Sequence, residues 1–309
     1  MLKGRIVSGK IVSILLAATM MAGCILTGCG SAESGSLEAA DKVAETANAP
    51  AAGNGEEGPG GTSGEPAEVS VIIETFDNTF ASFVMNAMKK YEEEHKDKIH
   101  ITYLDSKQDA NTQISQVENQ ILNGTQAIIC LAVDAKQSEP IVRACKEAGV
   151  PLIAFNRIFE NCDSFVGADG AVAGSLLARF TGEKTGGKGN VAIVNGIMGQ
   201  ENQFIRRDAI VETLGEMYPD MQVVIEGAGD WKRDKALQLV ETWLQSGTDI
   251  DAILCLNDDM AMGTQLAVEQ AGKSDDIIVC GVNGDPDGIN AVRDGKIAAT
   301  VFQNPDRQA

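Results

Sequence analysis

From Val69 onward, short unbroken apolar runs take turns with longer segments in which apolar residues recur every three or four positions. The first rhythm predicts buried strands and the second predicts amphipathic helices. Val69 to Ile73 is the first such strand. Phe83, Val84, Ala87, Met88 and Tyr91 then recur at helical spacing. Ile99 to Leu104 is a second strand, and Ile114, Val117, Ile121 and Leu122 mark a helix closed by Asn123-Gly124. Ala127 to Val133 is continuously apolar, as a parallel strand must be when helices cover both its faces. Ile141, Val142, Cys145 and Ala148 define a helix ending at Gly149, and Pro151 to Phe155 a further strand.

The pattern restarts after about residue 170. Asn190 to Val194 and Gln222 to Glu226 read as strands, with a helix from Phe204 to Tyr218 between them. A helix from Trp231 to about Ser246 follows, then strands at Ala252 to Leu256 and Ile277 to Cys280. Strand-helix alternation of this kind predicts an α/β fold with parallel, doubly wound sheets and right-handed crossovers. Two such sets in tandem predict two lobes joined by a hinge. Every loop that follows a strand then faces the cleft between them. The expected divisions are 68–174 for the first lobe, 175–300 for the second, and 301–309 for a crossover at the hinge.

The segment before Val69 obeys neither rhythm. Residues 29–67 consist mainly of Gly, Ala, Ser, Glu and Pro, too poor in large apolar side chains to offset the entropy of folding, so a disordered tether is expected. Residues 1–28 look like an export signal. Lys3, Arg5 and Lys10 precede a short apolar run from Ile11 to Met21, and small residues follow. Leu26-Thr27-Gly28-Cys29 resembles the lipobox of bacterial lipoproteins, with Met21-Ala22-Gly23-Cys24 a weaker match. That resemblance implies cleavage before Cys29, its acylation, and an extracytoplasmic protein held to the cell membrane by lipid.

Charge narrows the partners. With 44 acidic and 25 basic residues, the formal net charge of -19 disfavours a phosphate backbone, so no nucleic acid is expected. Beyond the leader, Cys130, Cys145, Cys162, Cys255 and Cys280 show no C-x-x-C or metal spacing, and His95 and His100 have no ligand partners at useful intervals. Buried free thiols are the expectation, with no metal and no cofactor.

The loops after the strands share one chemistry. They carry Asp77-Asn78-Thr79-Phe80, Asn156-Arg157, Gln200-Glu201-Asn202 with Arg206, Trp231, Asn257-Asp258, Asn283 and Gln303-Asn304. Planar amides, carboxylates and guanidinium groups can each engage two neighbouring hydroxyls, and an aromatic ring can cover the C–H face of a pyranose. A lone Asn after a strand is ordinarily a helix cap, and a Trp at helical spacing is ordinarily core, as expected for Trp243 beside Leu239 and Leu244. Six loops with the same chemistry are harder to explain as caps. Asp258 and Asp259 fit equally well as carboxylates at a helix start.

Here the chain resembles the type I periplasmic sugar-binding proteins of ABC importers, in their galactose/glucose and ribose branches. The specific pieces are Leu256-Asn257-Asp258-Asp259-Met260-Ala261-Met262-Gly263, Gly281-Val282-Asn283-Gly284 and Thr300-Val301-Phe302-Gln303, together with the spacing from Trp231 to Trp243. The resemblance implies a sugar ring sandwiched between Phe80 and Trp231. Asn78, Asn156, Arg157, Gln200, Asn202, Arg206, Asn257, Asn283 and Gln303 would then contact its hydroxyls. It implies a monomer that delivers a monosaccharide to ABC permease subunits. Asn78 and Asn283 stand where the galactose branch has aspartates, and Gln303 is closer to the ribose branch. The strand around Leu131 lacks the asparagine of the galactose branch. The stretch matching that branch's calcium loop, Thr181 to Gly189, is too poor in carboxylates to hold calcium. The family completes its lobes with further elements past Ala309, so a truncated C-terminus is expected, with the remainder of the first lobe missing.

Rival functions fare less well. No G-x-S-x-G, H-E-x-x-H or P-loop motif occurs, and both histidines lie outside the strand-end loops, so no enzyme is expected. A glycoside-processing enzyme would favour paired carboxylates over amides. A sugar-responsive repressor would need a basic helix-turn-helix in place of the leader. A sensor subunit presenting sugar to a membrane receptor remains the alternative to transport.

Overall fold

The computed structural model describes residues 65–309; the leader, Cys29 and nearly all of the expected tether lie outside them. In the first lobe, β1 (Ala67–Ile73), α1 (Thr79–Glu94), β2 (Ile99–Asp105), α2 (Ala110–Leu122), β3 (Ala127–Leu131), α3 (Glu139–Ala148), β4 (Leu152–Phe155) and β5 (Ser164–Val166) follow one another. In the second come α4 (Gly170–Thr185), β6 (Lys188–Asn195), α5 (Glu201–Met217), β7 (Asp220–Ala228), α6 (Arg233–Gln245), β8 (Ala252–Cys255), α7 (Asp258–Gln270), β9 (Ile278–Asn283), α8 (Pro286–Arg293) and β10 (Ala299–Phe302). The chain then enters α9 (Pro305–Gln308), which packs on α1.

Each lobe holds one five-stranded sheet, in the orders β2-β1-β3-β4-β5 and β7-β6-β8-β9-β10, and all pairings are parallel. Both orders are the same doubly wound pattern, whose direction of winding reverses between the first and third strands. That reversal opens a crevice at the carboxyl ends of β1 and β3 in one lobe and of β6 and β8 in the other.

The strands obey a two-residue period inside a sandwich. Val71 and Ile73 face one core with Phe80, Val84 and Met88, whereas Ile72 between them faces a second with Val117, Ile128 and Ile141. The second lobe has one continuous core built on Val191 to Val194, Ile253 to Leu256 and Trp243, the last only 6% exposed. Capping fixes where helices start. The side chains of Asn78, Asp109, Asp169 and Asn257 accept from backbone N–H groups in the first turns of α1, α2, α4 and α7.

Several boundaries differ from those read in the sequence, each for a local reason. The 16-residue helix α4 spans the expected lobe boundary at 174/175, yet its Ala173, Leu177 and Ala178 all pack into the second core. It therefore sides with the second sheet from Gly170 onward. Residues 181–189 form no loop: they are the last turn of α4, the left-handed cap Gly186 and the start of β6. Strand β5 is only three residues long, and two of them are exposed, so it carries no apolar run. The helix expected from Trp231 starts at Arg233, because Asp230 and Trp231 adopt left-handed φ values of 52° and 62°. All five cysteines from Cys130 onward are free thiols. Burial pushes Cys130 and Cys280 up to about 12.

Candidate functional site

The loops after β1, β4, β6, β7, β8, β9 and β10 converge on one interlobe cleft with about 670 Å³ of free space including its mouth. Its walls include Asn78, Phe80, Asn156, Arg157, Asn202, Arg206, Trp231, Asn257, Asn283 and Gln303. Gln200, the remaining residue singled out in the sequence, does not line this space. It stands behind the wall and bonds two residues that do.

The first lobe contributes a buried ion pair. Glu74, one residue past β1, accepts from Arg157 Nη1 at 3.0 Å, with both side chains only 4% exposed. Arg157 Nη1 also donates to the carbonyl of Ala132, and Nη2 donates to Gln200 Oε1 at 3.0 Å. Asn78 is divided between two tasks: its oxygen caps α1 through Ala81 N–H at 2.9 Å, and its amide donates to Glu74 at 2.8 Å. Phe80 is a core residue, 5% exposed, that also closes part of the cleft wall. Asn156 takes a left-handed φ of 56° at the end of β4. Glu74 is the residue that sequence reasoning missed. Its signal was a carboxylate directly after the apolar run Val71-Ile72-Ile73.

The second lobe supplies the aromatic wall and most of the amides. Trp231 lies over Gly196, where any Cβ would overlap the indole. Its Nε1 donates to Gln200 Oε1 at 2.7 Å, its carbonyl accepts from Asn257 Nδ2 at 3.3 Å, and Arg206 sits 6.0 Å from the ring centroid. Arg206 is 5% exposed and donates to the Leu256 carbonyl at 2.6 Å. Burial lowers its pKa to about 10, opposed by the nearby carboxylate of Asp258. Its neighbour Arg207 points the other way and pairs with Glu226 on the surface. Asn257 caps α7 through Met260 N–H at 2.9 Å.

Asn283, at φ 132°, donates to Asp285 at 3.3 Å and accepts from Gln303 Nε2 at 2.7 Å. Asp258 is 1% exposed and serves the scaffold: it accepts from Thr300 Oγ1 at 2.6 Å and from Asp285 N–H at 2.8 Å. Asp259 does line the cleft. It accepts from Thr79 across the lobes and pairs with Arg233.

Three buried polar atoms on the cleft residues have no partner among the described residues: Arg157 Nε, Arg206 Nε and Gln303 Oε1. Unpaired buried groups are costly and call for a ligand or water to satisfy them. Among the described residues no group of His, Cys, Asp and Glu side chains could hold a metal ion, and no helix is long and apolar enough to cross a membrane.

Comparison with known proteins places this arrangement. Residues 69–309 match the model of the periplasmic binding protein domain. The xylitol-binding protein of Mycolicibacterium smegmatis is 34% identical over 209 residues, which cover 67% of this chain and 59% of that protein. This chain thus spans less than two thirds of that relative's length. The ribose import binding protein RbsB of Bacillus subtilis is 28% identical over 240 residues, 77% of this chain and 76% of that one. An ABC transporter solute binding protein from Bacillus halodurans, solved with bound myo-inositol, superposes with a TM-score of 0.76 at 33% identity, over 80% of this chain and 86% of its own. The chain belongs to the type I periplasmic binding protein family, among sugar-binding solute receptors of ABC transporters whose relatives include ribose, inositol and allose binders.

Proposed function

We propose that this chain captures a neutral polyhydroxy compound, a monosaccharide, cyclitol or sugar alcohol, in the interlobe cleft and delivers it to an ABC importer. The observation that carries this reading is the makeup of the cleft wall. Amides from six separate loops surround one indole, while the charged groups are largely matched to protein partners: Glu74 to Arg157, Asp259 to Arg233, and Asp230 to Lys235. A charged solute would meet a wall with little net charge left to offer. A neutral ring offers hydroxyls, each both donor and acceptor, to Arg206, Asn257, Asn283 and Gln303, and a C–H face to Trp231.

Relatives reported to bind ribose, allose, xylitol and myo-inositol favour those compounds over galactose or glucose as first candidates. Amides at Asn78 and Asn283, in place of the aspartates of the galactose branch, point the same way. The Leu26-Thr27-Gly28-Cys29 motif supports lipid anchoring at Cys29.

The test is a thermal-shift panel of D-ribose, D-allose, D-galactose, D-glucose, xylitol and myo-inositol, followed by calorimetry. A ligand at a hundred times its Kd adds about 2.7 kcal/mol to the folded state. For a chain of this size that raises the melting temperature by about 5–10 °C. A panel without effect, beside a clear shift from a sugar acid or an amino acid, would overturn the proposal.

A further inference from the structure

Three consecutive residues of the second lobe meet three consecutive residues of the first. Gln200 Oε1 accepts from Arg157 Nη2 at 3.0 Å, the Glu201 carboxylate faces the Ile158 backbone N–H, and Asn202 Nδ2 donates to the Asn156 carbonyl at 2.9 Å. Gln200 Nε2 also approaches Glu74 Oε2 at 3.5 Å. The elements bring the two triplets together. Residues 200–202 are the N-cap and first turn of α5, where N–H groups lack helical partners and side chains project toward the other lobe's loops. Residues 156–158 leave the end of β4 through the left-handed turn at Asn156.

These bonds join protein to protein. Each one favours the closed arrangement whatever the cleft holds, unlike a bond made to solute. Gln200 is fully committed in this arrangement: its oxygen accepts from both Arg157 and Trp231 Nε1, and it lies outside the cleft lining. It thereby fixes the indole of one lobe against the guanidinium of the other.

We infer that residues 200–202 form an interlobe clasp which sets how far the lobes close before solute arrives, with Gln200 a positioning residue for Trp231 and Arg157 rather than a solute contact. This rests on the reading of the cleft as the solute site, but the clasp has a signature of its own. If it acts as a unit, removing one member frees the lobes and exposes the bonds made by the others.

The experiment follows single backbone amides by hydrogen exchange in the full chain without solute, comparing wild type with Gln200→Ala and Asn202→Ala. Neither variant removes the Glu201 carboxylate that Ile158 N–H faces. Losing one net hydrogen bond should nonetheless accelerate exchange at Ile158 about threefold to tenfold. The Ile128 amide, bonded to the Pro151 carbonyl within the first lobe, should stay within about twofold. Ile158 exchange unchanged in both variants overturns the clasp, and so does equal acceleration at Ile128, which would mark general destabilisation. The same proteins are then titrated with D-ribose, D-allose, D-galactose, D-glucose, xylitol and myo-inositol. Gln200→Ala should weaken whichever of these binds by a similar factor, and an unchanged affinity overturns the positioning role. If none binds wild type, the cleft reading fails while Ile158 exchange still decides the clasp. If one binds both proteins equally and Ile158 is unmoved, the clasp fails and the cleft reading stands.

Discussion

Replacing Glu74 by Ala isolates the interaction on which the first-lobe wall depends. In wild type its carboxylate meets Arg157 Nη1 at 3.0 Å, and both side chains are 4% exposed. Removing one partner of a buried pair leaves the other charge uncompensated, which typically destabilises by about 3–5 kcal/mol. Arg157 would keep carbonyl acceptors at Ala132 and Val133 and the amide oxygen of Gln200, which places the loss at the lower end, about 3 kcal/mol. At about 2–4 °C per kcal/mol for a protein of this size, the melting temperature should fall by about 6–12 °C. Glu74→Gln keeps an oxygen for Arg157 but not the charge, and should lose about half as much. The cycle closes with Arg157→Met, since a pair removed together leaves no orphan charge. The double variant should therefore be more stable than Glu74→Ala alone, by calorimetric scanning or urea titration. A melting shift below about 2 °C for Glu74→Ala, or strict additivity in the double variant, would refute the reasoning.

Trp231→Ala should weaken solute binding at least about thirtyfold by calorimetry, since aromatic anchors commonly contribute about 2 kcal/mol or more; a change below twofold would place the indole outside the site. Gly196→Ala puts a Cβ into the space the indole occupies and should lower affinity with little change in the fold's circular dichroism, whereas unaltered affinity would show that the ring can shift freely. Burial, with Asp258 beside it, pushes Asp285 up to about 7 from an ordinary 3.8. The folded chain then holds this proton more tightly than the unfolded chain between those values. Folding stability should fall as pH rises from about 4 to about 7 and level off above, by about 1–2 kcal/mol. Asp285→Asn should flatten that slope in urea titrations at pH 5 and 8, and an unchanged slope would clear Asp285 of the effect. Small-angle scattering should show a smaller radius of gyration with bound solute; an unchanged radius at confirmed saturation would exclude hinge closure.

The two lobes were legible because their strands are buried on both faces and so read as unbroken apolar runs, with helix starts marked by Asn and Asp caps. Where a strand is brief and mostly exposed the signal vanishes, as in three-residue β5, whose Phe165 is 39% exposed. Helix α4 escaped for a different reason. Its buried face is largely Gly and Ala, small enough to let α5 approach until a Cβ at Gly174 would overlap the Arg206 carbonyl, and small residues carry little periodic hydrophobic signal. The candidate site was legible as residue types at strand ends, since parallel doubly wound sheets bring those ends together. Its division of labour was not. Nothing in the spacing distinguishes Gln200, spent on two partners behind the wall, from Asn202 or Arg206 in the wall. Nor does periodicity reveal that Glu74 neutralises Arg157, because that pairing joins the ends of β1 and β4, which are not neighbours in the sheet.

Backbone strain connects this division of labour to recognition. Asp230 and Trp231 are consecutive residues in the left-handed region, and Asn156 is a third at the same cleft. For residues with a Cβ this conformation costs about 1–2 kcal/mol each, and it persists only where surrounding contacts enforce it. Here those contacts are identifiable. The Lys232 N–H donates to the Gly229 carbonyl, Asp230 pairs with Lys235, and Trp231 is held at its carbonyl by Asn257 and at its indole nitrogen by Gln200. The strained turn lifts Trp231 out of the helix that its sequence position would give it and lays the ring over Gly196. An indole fixed at both ends loses little further freedom when a ring stacks on it, so more of the stacking energy appears as affinity. The same bonds make the wall depend on closure, because Gln200 reaches Arg157 only across the lobes. An aromatic platform in one lobe is thus tied, through a single amide oxygen, to the ion pair that anchors the other.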